Sequence, residues 1–354
     1  MKKILTVYTG GTICSFAQEE GRSLDVGMAK RVIVDHFIRE NPGDTEVAEG
    51  LFEDSGFAAT TLSENMTLRK LDCIIRHILT FDLHSYAGMI LLHGTDTLAY
   101  SATVLSLLFE SAPVPIMLVS ANRPPDDTRT NAHVNFRTAT ELIRRGIAPS
   151  VYVPYRNSDG TVWLHFASAI LQCANFTDDF YSAPGEKAYL VDRGSAGQGM
   201  DSVISDISRW HIEKKKKSRN LIGKFTGLAN TVLYISPYVG ICYSRISLEG
   251  IQAVVHGTFH SGTVCVERNT TEEPFSSDSI LSLAKRCEEK GIPLFLAPCV
   301  LGREQYSSTY DAVYNGHIVP LDMAAETAYT RAVTGVSCGY AGEALKEFMQ
   351  NGSG

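Results

Sequence analysis

Two threonines in this chain stand where a hydroxyl can do chemistry. In Ile4 to Ile13, ILTVYTGGTI, a row of apolar and β-favouring residues runs into Gly10-Gly11 and then Thr12. Glycine lets the backbone turn without a Cβ in the way. The turn lifts the Thr12 hydroxyl out of the end of a sheet, among free backbone N–H groups. Such a place suits a nucleophile with an anion hole beside it. Taken alone, the stretch also reads as a strand and a tight turn, with Thr12 merely a turn residue. A second run, Tyr86 to Leu92, ends in His93-Gly94-Thr95-Asp96-Thr97.

Both sites need a scaffold that carries them to one place. Helical spacing covers Met28 to Arg39, Leu68 to Thr80, Leu98 to Phe109 and Asn131 to Arg145. Strand-like runs cover Phe57 to Leu62, Tyr86 to Leu92, Pro115 to Val119 and Val151 to Pro154. Strands alternating with helices through short connections indicate an open α/β domain with a mostly parallel sheet. In such domains the ligand sits beyond the carboxyl ends of the strands. Thr12, Ser63, Thr95 and Asn122 all follow predicted strands there, so they can converge from distant parts of the chain. The polar stretch Ser15 to Arg22 reads as a mobile loop, either a lid over Thr12 or an ordinary surface loop.

The texture changes from Gly185. Gly194 to Gly199 is rich in glycine but has the wrong order for a dinucleotide fingerprint, and no G-K-[ST] for a P-loop. The run Lys214 to Lys217 reads as a solvated face or linker. We divide the chain into an N-terminal domain over 1–189, a connection over 190–224 and a C-terminal domain over 225–354. The last is a smaller α/β unit. Its strands are expected at Thr231 to Ile235, Ala253 to His256 and Ile292 to Ala297, and its helices at Ser277 to Lys290 and Ala324 to Val333.

Composition narrows the function classes. A chain of 354 residues is comfortable for two domains, and 44% hydrophobic with 20% charged residues describes a globular protein. A formal charge of −7 argues against a nucleic-acid partner. No apolar stretch approaches bilayer-spanning length. The N-terminal apolar run is too short for a signal peptide, and the eight cysteines form no C-x-x-C pair. These features predict a cytoplasmic protein with reduced thiols and no membrane partner. The ten histidines show no H-x-x-x-H or H-E-x-x-H on a helix, so no metal and no cofactor is expected.

TGGTI at Thr9 to Ile13 and HGTDTL at His93 to Leu98, in that order, resemble the bacterial-type L-asparaginase/glutaminase family. Ser63-Glu64-Asn65-Met66-Thr67 looks like that family's S-x-N-M stretch. The resemblance implies a larger N-terminal α/β domain joined to a smaller C-terminal one. It also implies hydrolysis of a linear amide, L-asparagine or a related side-chain amide, through an acyl-enzyme on Thr12. Gly11 and Gly94 would line the site, and Thr95 would face Thr12 across the carbonyl with its N–H in the oxyanion hole. Asp96 would hold the substrate's α-ammonium, Glu64 would assist, and Ser63 would accept the α-carboxylate. From the residues alone, Asp96 and Ser63 also read as helix caps. A homodimer or a dimer of dimers is expected.

The sequence departs from that pattern in three places. The family pairs Thr95's counterpart with a lysine, yet this chain has none between Lys70 and Lys187. Counting from Asp159-Gly160, His165 falls at the expected position, where a neutral imidazole could act as base. The family's lid tyrosine is also missing, and Leu24 falls near its place. In the C-terminal domain a G-x-G-N-like loop is matched by Phe259 to Thr263, with threonine for asparagine. Two hypotheses follow: an asparaginase-like amidohydrolase, or a homologue that binds an amino acid with its chemistry largely lost. An amidohydrolase for a different amide is the further alternative.

Overall fold

The computed structural model of the protein describes residues 2–18, 21–41, 50–192, 198–214, 220–268, 275–302 and 305–351. The chain divides into two compact units, Met1–Gly223 and Lys224–Gly354.

The first unit is built on β1 (Ile4–Tyr8), buried at every residue, as expected of a strand covered on both faces. A two-stranded antiparallel ribbon follows, β2 (Ser15–Gln18) and β3 (Gly21–Leu24). Next come α1 (Val26–Glu40), β4 (Phe52–Asp54), α2 (Leu68–Ile78) and β5 (Gly88–Leu92). The unit continues through α3 (Leu98–Leu108), β6 (Ile116–Val119), α4 (Ala132–Arg144) and β7 (Val151–Arg156). It closes with β8 (Val162–Phe166), β9 (Ala188–Asp192) and α5 (Gln198–Lys214). The seven-stranded sheet has the order β4-β1-β5-β6-β7-β8-β9, parallel from β4 to β7 and antiparallel beyond. The chain leaves β1 for β4 on one side and later lays β5 on the other. The direction of winding therefore switches between β1 and β5, where open α/β sheets hold their ligands.

The helices form for local reasons. The Asp25 carboxylate accepts from Met28 N at 2.8 Å and caps α1. Thr67 caps α2 through Lys70 N at 3.3 Å, and such caps contribute about 1 kcal/mol each. Leu71, Ile74, Ile75 and Ile78 of α2 are buried on one face. Each contributes roughly 1.5–3 kcal/mol of burial.

Several expectations are corrected. Residues 57–62 form no strand and touch the sheet only through a single bridge, Thr61 to Gly10. The strand in this region is β4, because β1 ends at Tyr8 and leaves no ladder for later residues. Ser15 to Arg22 belongs to the β2–β3 ribbon rather than an irregular loop; Glu19 and Glu20 lie outside the described residues. The stretch expected as a connection, 190–224, carries α5, whose Val203 and Ile207 are buried in the core of the first unit. Gly199 has a packing reason: a Cβ there would lie 2.1 Å from the Val191 carbonyl oxygen. The glycines at 194 and 197 and the lysines at 215–217 lie outside the described residues.

The second unit holds a four-stranded parallel sheet in sequential order: β10 (Val232–Ile235), β11 (Ala253–His256), β12 (Leu294–Leu296) and β13 (Val319–Pro320). Helices α6 (Ile280–Glu289), α7 (Ala325–Ser337) and α8 (Gly342–Gln350) belong to this unit.

Candidate active site

Beyond the carboxyl ends of β1 and β5 three backbone segments meet. Thr9 binds the end of β1 to that of β5, donating from N at 3.0 Å and from Oγ1 at 2.7 Å to the Leu92 carbonyl. Gly10 and Gly11 then take φ values of 114° and 77°, which L side chains disfavour. Space forbids side chains as well. A Cβ on Gly10 would sit 2.0 Å from the Thr61 oxygen, and one on Gly11 would sit 2.2 Å from the Cα of Gly94. A Cβ on Gly94 would lie 2.3 Å from Ser63 Cβ and 3.0 Å from Gly11 Cα. The glycine corners of the two motifs therefore touch. Thr12 and Thr95 leave that contact as the next residue on each segment, each Cα about 3.8 Å from that of its glycine.

Both threonines are half-buried. Among the described residues neither hydroxyl, and neither backbone N–H, has an intramolecular hydrogen-bond partner. Thr12 opens a short 3₁₀ turn to Cys14, held by Cys14 N and Ser15 Oγ, which donate to the Gly11 carbonyl at 3.0 and 2.9 Å. Burial pushes the Cys14 thiol up to about 12, so it is an inert neighbour rather than a second nucleophile. The Gly11 N–H is engaged by the Thr61 carbonyl at 3.0 Å. Among the described residues the N–H groups of Thr12 and Thr95 are open donors at the contact, as are those of Gly10 and Gly94. Thr97, not Asp96, is the N-cap residue of α3, and the positive end of that helix dipole faces the same end of the sheet. Asp96 and Glu64 are exposed.

Ser63 is buried and braced. Its Oγ accepts from Thr97 N at 3.2 Å and lies 3.2 Å from Thr97 Oγ1, while Thr97 Oγ1 donates to the Ser63 carbonyl at 3.1 Å. The cap of α2 is Thr67, so Ser63 serves the corner and not the helix. The strand ends are tied in turn. Ser120 Oγ donates to the His93 carbonyl at 2.6 Å, and Asn135 Nδ2 to the Ser120 carbonyl at 2.9 Å. His93 is fully buried, its Nδ1 2.8 Å from the Gly94 carbonyl, and burial lowers its pKa. It is a neutral brace for the corner. Asn122 pairs with Asn131 within its own loop, its N–H 2.9 Å from Asn131 Oδ1.

The structure does not bring His165 to this contact. His165 lies within antiparallel β8, opposite Val153 of β7. That strand is three ladder steps from β5, roughly 14 Å at the usual spacing. The ring is 1% exposed, Nδ1 meets Ser182 Oγ at 2.9 Å, and burial pushes its pKa down to about 4. Counting from Asp159-Gly160 led to a residue on a strand that runs antiparallel to its neighbours. Leu24 packs partly buried against the core of the first unit. A residue that counting missed arrives instead: Gln172, whose Nε2 donates to the Asp96 carbonyl at 2.6 Å. The available signal was a polar side chain directly after the apolar pair Ile170-Leu171.

Residues 3–176 match the family described as Asparaginase, N-terminal. The chain is 25% identical over 348 residues to a component of the glutamyl-tRNA(Gln) amidotransferase of Thermoplasma volcanium, covering 94% of this chain and 75% of that protein. It is 30% identical over 154 residues to the L-asparaginase of Thermococcus kodakarensis, covering 43% of this chain and 44% of that enzyme. In fold it is similar to L-asparaginase I of Vibrio cholerae, with a TM-score of 0.66 at 21% identity over 99% of this chain and 97% of that one. A probable cytoplasmic L-asparaginase of Campylobacter jejuni gives 0.65 at 18% identity, covering 99% of each chain. With TGGTI and HGTDT in contact at the winding switch of its first sheet, this chain belongs to the asparaginase family of amidohydrolases.

Proposed function

We propose that the chain hydrolyses the side-chain amide of a free amino acid, L-asparagine or its longer homologue L-glutamine, with Thr12 as nucleophile. The observation that carries this reading is the direct contact of Gly11 with Gly94, the residues before Thr12 and Thr95, whose hydroxyls have no partner among the described residues. Thr12 Oγ attacks the amide carbon. The C–N bond breaks, the nitrogen takes up the hydroxyl proton and leaves as ammonia, and an ester remains on Thr12. Water cleaves the ester, releasing the carboxylate and restoring the hydroxyl. The Thr95 N–H stabilises the oxyanion, and its hydroxyl positions the water. The exposed carboxylates of Asp96 and Glu64 hold the substrate's ammonium by charge-assisted bonds, with Gln172 fixing the Asp96 backbone. Ser63 acts through its brace to Thr97. His165 has no part in the reading. A cytoplasmic homodimer or homotetramer belongs to it, and the cytoplasmic relative supports the first element.

The test is ammonia release from L-asparagine and L-glutamine by the native chain and by Thr12→Ala. The expected loss is at least about a thousandfold. Equal rates for the two proteins overturn the role of Thr12. A second reading draws on the similarity to the amidotransferase component, which spans 94% of this chain. On that reading the ammonia serves an amidotransferase complex. It predicts glutamine as the better substrate and slow turnover until a partner protein is added.

A further inference from the structure

We propose that Lys70 supplies the fixed positive charge of this site, holding the anionic end of the substrate while it clamps the segment that separates the two glycine corners. The inference rests on the amide-hydrolysis reading above. Lys70 stands in the first turn of α2, where the helix dipole disfavours a cation. Its ammonium turns back over the preceding segment, donating to Thr61 Oγ1 at 2.8 Å and to the Asn65 carbonyl at 2.9 Å. These partners lie on either side of Ser63. Thr61 is the residue whose backbone holds Thr9 and Gly11, its N–H 2.9 Å from the Thr9 carbonyl and its C=O 3.0 Å from Gly11 N. Ser63 is the residue against which Gly94 packs. One side chain therefore bridges the strip of backbone that keeps Thr12 and Thr95 in register.

Charge makes it more than a clamp. Both partners of Lys70 are neutral, and among the described residues no carboxylate forms an ion pair with it. An ammonium has three donors, and two are engaged. A half-buried cation at the positive end of a helix, with one donor left and no ion pair among the described residues, favours an incoming anion. Asp96 and Glu64 offer negative charge for an ammonium, and the Ser63 hydroxyl is already held by Thr97. Lys70, tied to the strip that carries Ser63, is the cation proposed to meet a carboxylate. On the amide-hydrolysis reading, Lys70 favours a substrate that carries a carboxylate over a simple aliphatic amide. Lys70 is a specificity and positioning residue, acting through charge and through the Thr61–Asn65 strip.

The experiment compares the native chain with Lys70→Met, Lys70→Gln and Lys70→Arg. Ammonia release is measured from L-asparagine and from propionamide, which lacks both charges, and L-aspartate binding is followed by calorimetry. The expected result is a KM for L-asparagine and a Kd for L-aspartate raised about tenfold or more in Lys70→Met and Lys70→Gln. The loss should fall more on KM than on kcat, Lys70→Arg should recover most of the affinity, and propionamide turnover, which reports the clamp without the charge, should fall by less than kcat/KM for L-asparagine. Lys70→Gln keeps a hydrogen-bond donor without the charge, which separates charge from clamp. Unchanged KM and Kd in Lys70→Met overturn the proposal. Equal losses on propionamide, or Lys70→Gln behaving as native, also overturn it, since the role is then structural. If the native chain releases no ammonia, the hydrolysis reading fails, while L-aspartate binding still decides Lys70. Failure of the native chain to bind L-aspartate removes the anion role.

Discussion

The same three residues end a central strand in each unit, and only one set has the makings of a reactive centre. His93-Gly94-Thr95 follows β5, and His256-Gly257-Thr258 starts at the last residue of β11. Both imidazoles are completely buried and point Nδ1 at the next carbonyl, 2.8 Å from Gly94 O and 2.6 Å from Gly257 O. The differences lie in what surrounds them. Gly94 faces a second glycine corner at backbone contact, whereas the nearest neighbour of a Cβ on Gly257 would be Pro237 Cδ at 3.2 Å. The Thr95 hydroxyl has no partner among the described residues, while Thr258 Oγ1 donates to the Pro298 carbonyl at 3.1 Å. His256 Nε2 is met by the Tyr243 hydroxyl at 2.8 Å, while His93 Nε2 has no partner among the described residues. His-Gly-Thr is thus a way to finish a buried parallel strand. It becomes a candidate site where a second corner from a neighbouring strand faces it, at the one place where the winding reverses. The second sheet runs in sequential order and has no such reversal.

The comparison is broken most directly at the glycines. Gly94→Ala would drive a Cβ into Ser63 and toward Gly11. The expected cost is about 2–3 kcal/mol of stability, and roughly a hundredfold in ammonia release as the threonines shift apart. Gly257→Ala should cost less than about 1 kcal/mol and leave turnover unchanged. Denaturant melts and steady-state rates for the two variants decide, and similar losses at both positions would end the distinction.

Acid should act on both corners alike. The fold holds His256 neutral, with burial pushing its pKa down to about 4, and burial lowers that of His93 in the same sense. Unfolded histidine titrates near 6.5, so the unfolded chain binds more protons between these values. Stability is then full above about 6.5 and lost as pH falls toward 4, by up to about 3 kcal/mol for His256. Thermal melts from pH 7.5 to 4 should show this slope, and His256→Gln should make it shallower, the rest coming from His93 and the equally buried His165. An unchanged slope would mean that His256 is not held neutral by its surroundings.

The smallest effect sharpens the contrast. Thr258→Val removes one hydrogen bond to a carbonyl, so it should cost about 1 kcal/mol and spare activity. A marked fall in ammonia release from Thr258→Val would show that the second corner also serves the reaction.

Much of this was legible from residue types. Buried strands announce themselves by unbroken apolar runs, as at Ile4–Tyr8 and Gly88–Leu92. Amphipathic helices do so by spacing, as at Leu68–Ile78. What misled was position across the sheet. Residues 57–62 carry strand-like types but make only the single Thr61–Gly10 bridge, because β4 already occupies that edge of β1. His165 sits at a plausible count from Asp159-Gly160 yet on a strand running the other way. Local pattern does not encode strand direction, and a single reversal moves a side chain from the site into the interior.

The sequence by itself determined that two glycine corners, each carrying a threonine, would end buried strands of an α/β sheet, since backbone freedom and apolar runs are local properties. Only the tertiary structure decided that Gly11 and Gly94 touch, that Ser63 is bound to Thr97, and that Gln172 and Lys70 reach the corner while His165 does not. Those outcomes depend on strand order and on contacts between residues far apart in the chain, which no run of neighbouring residues can specify.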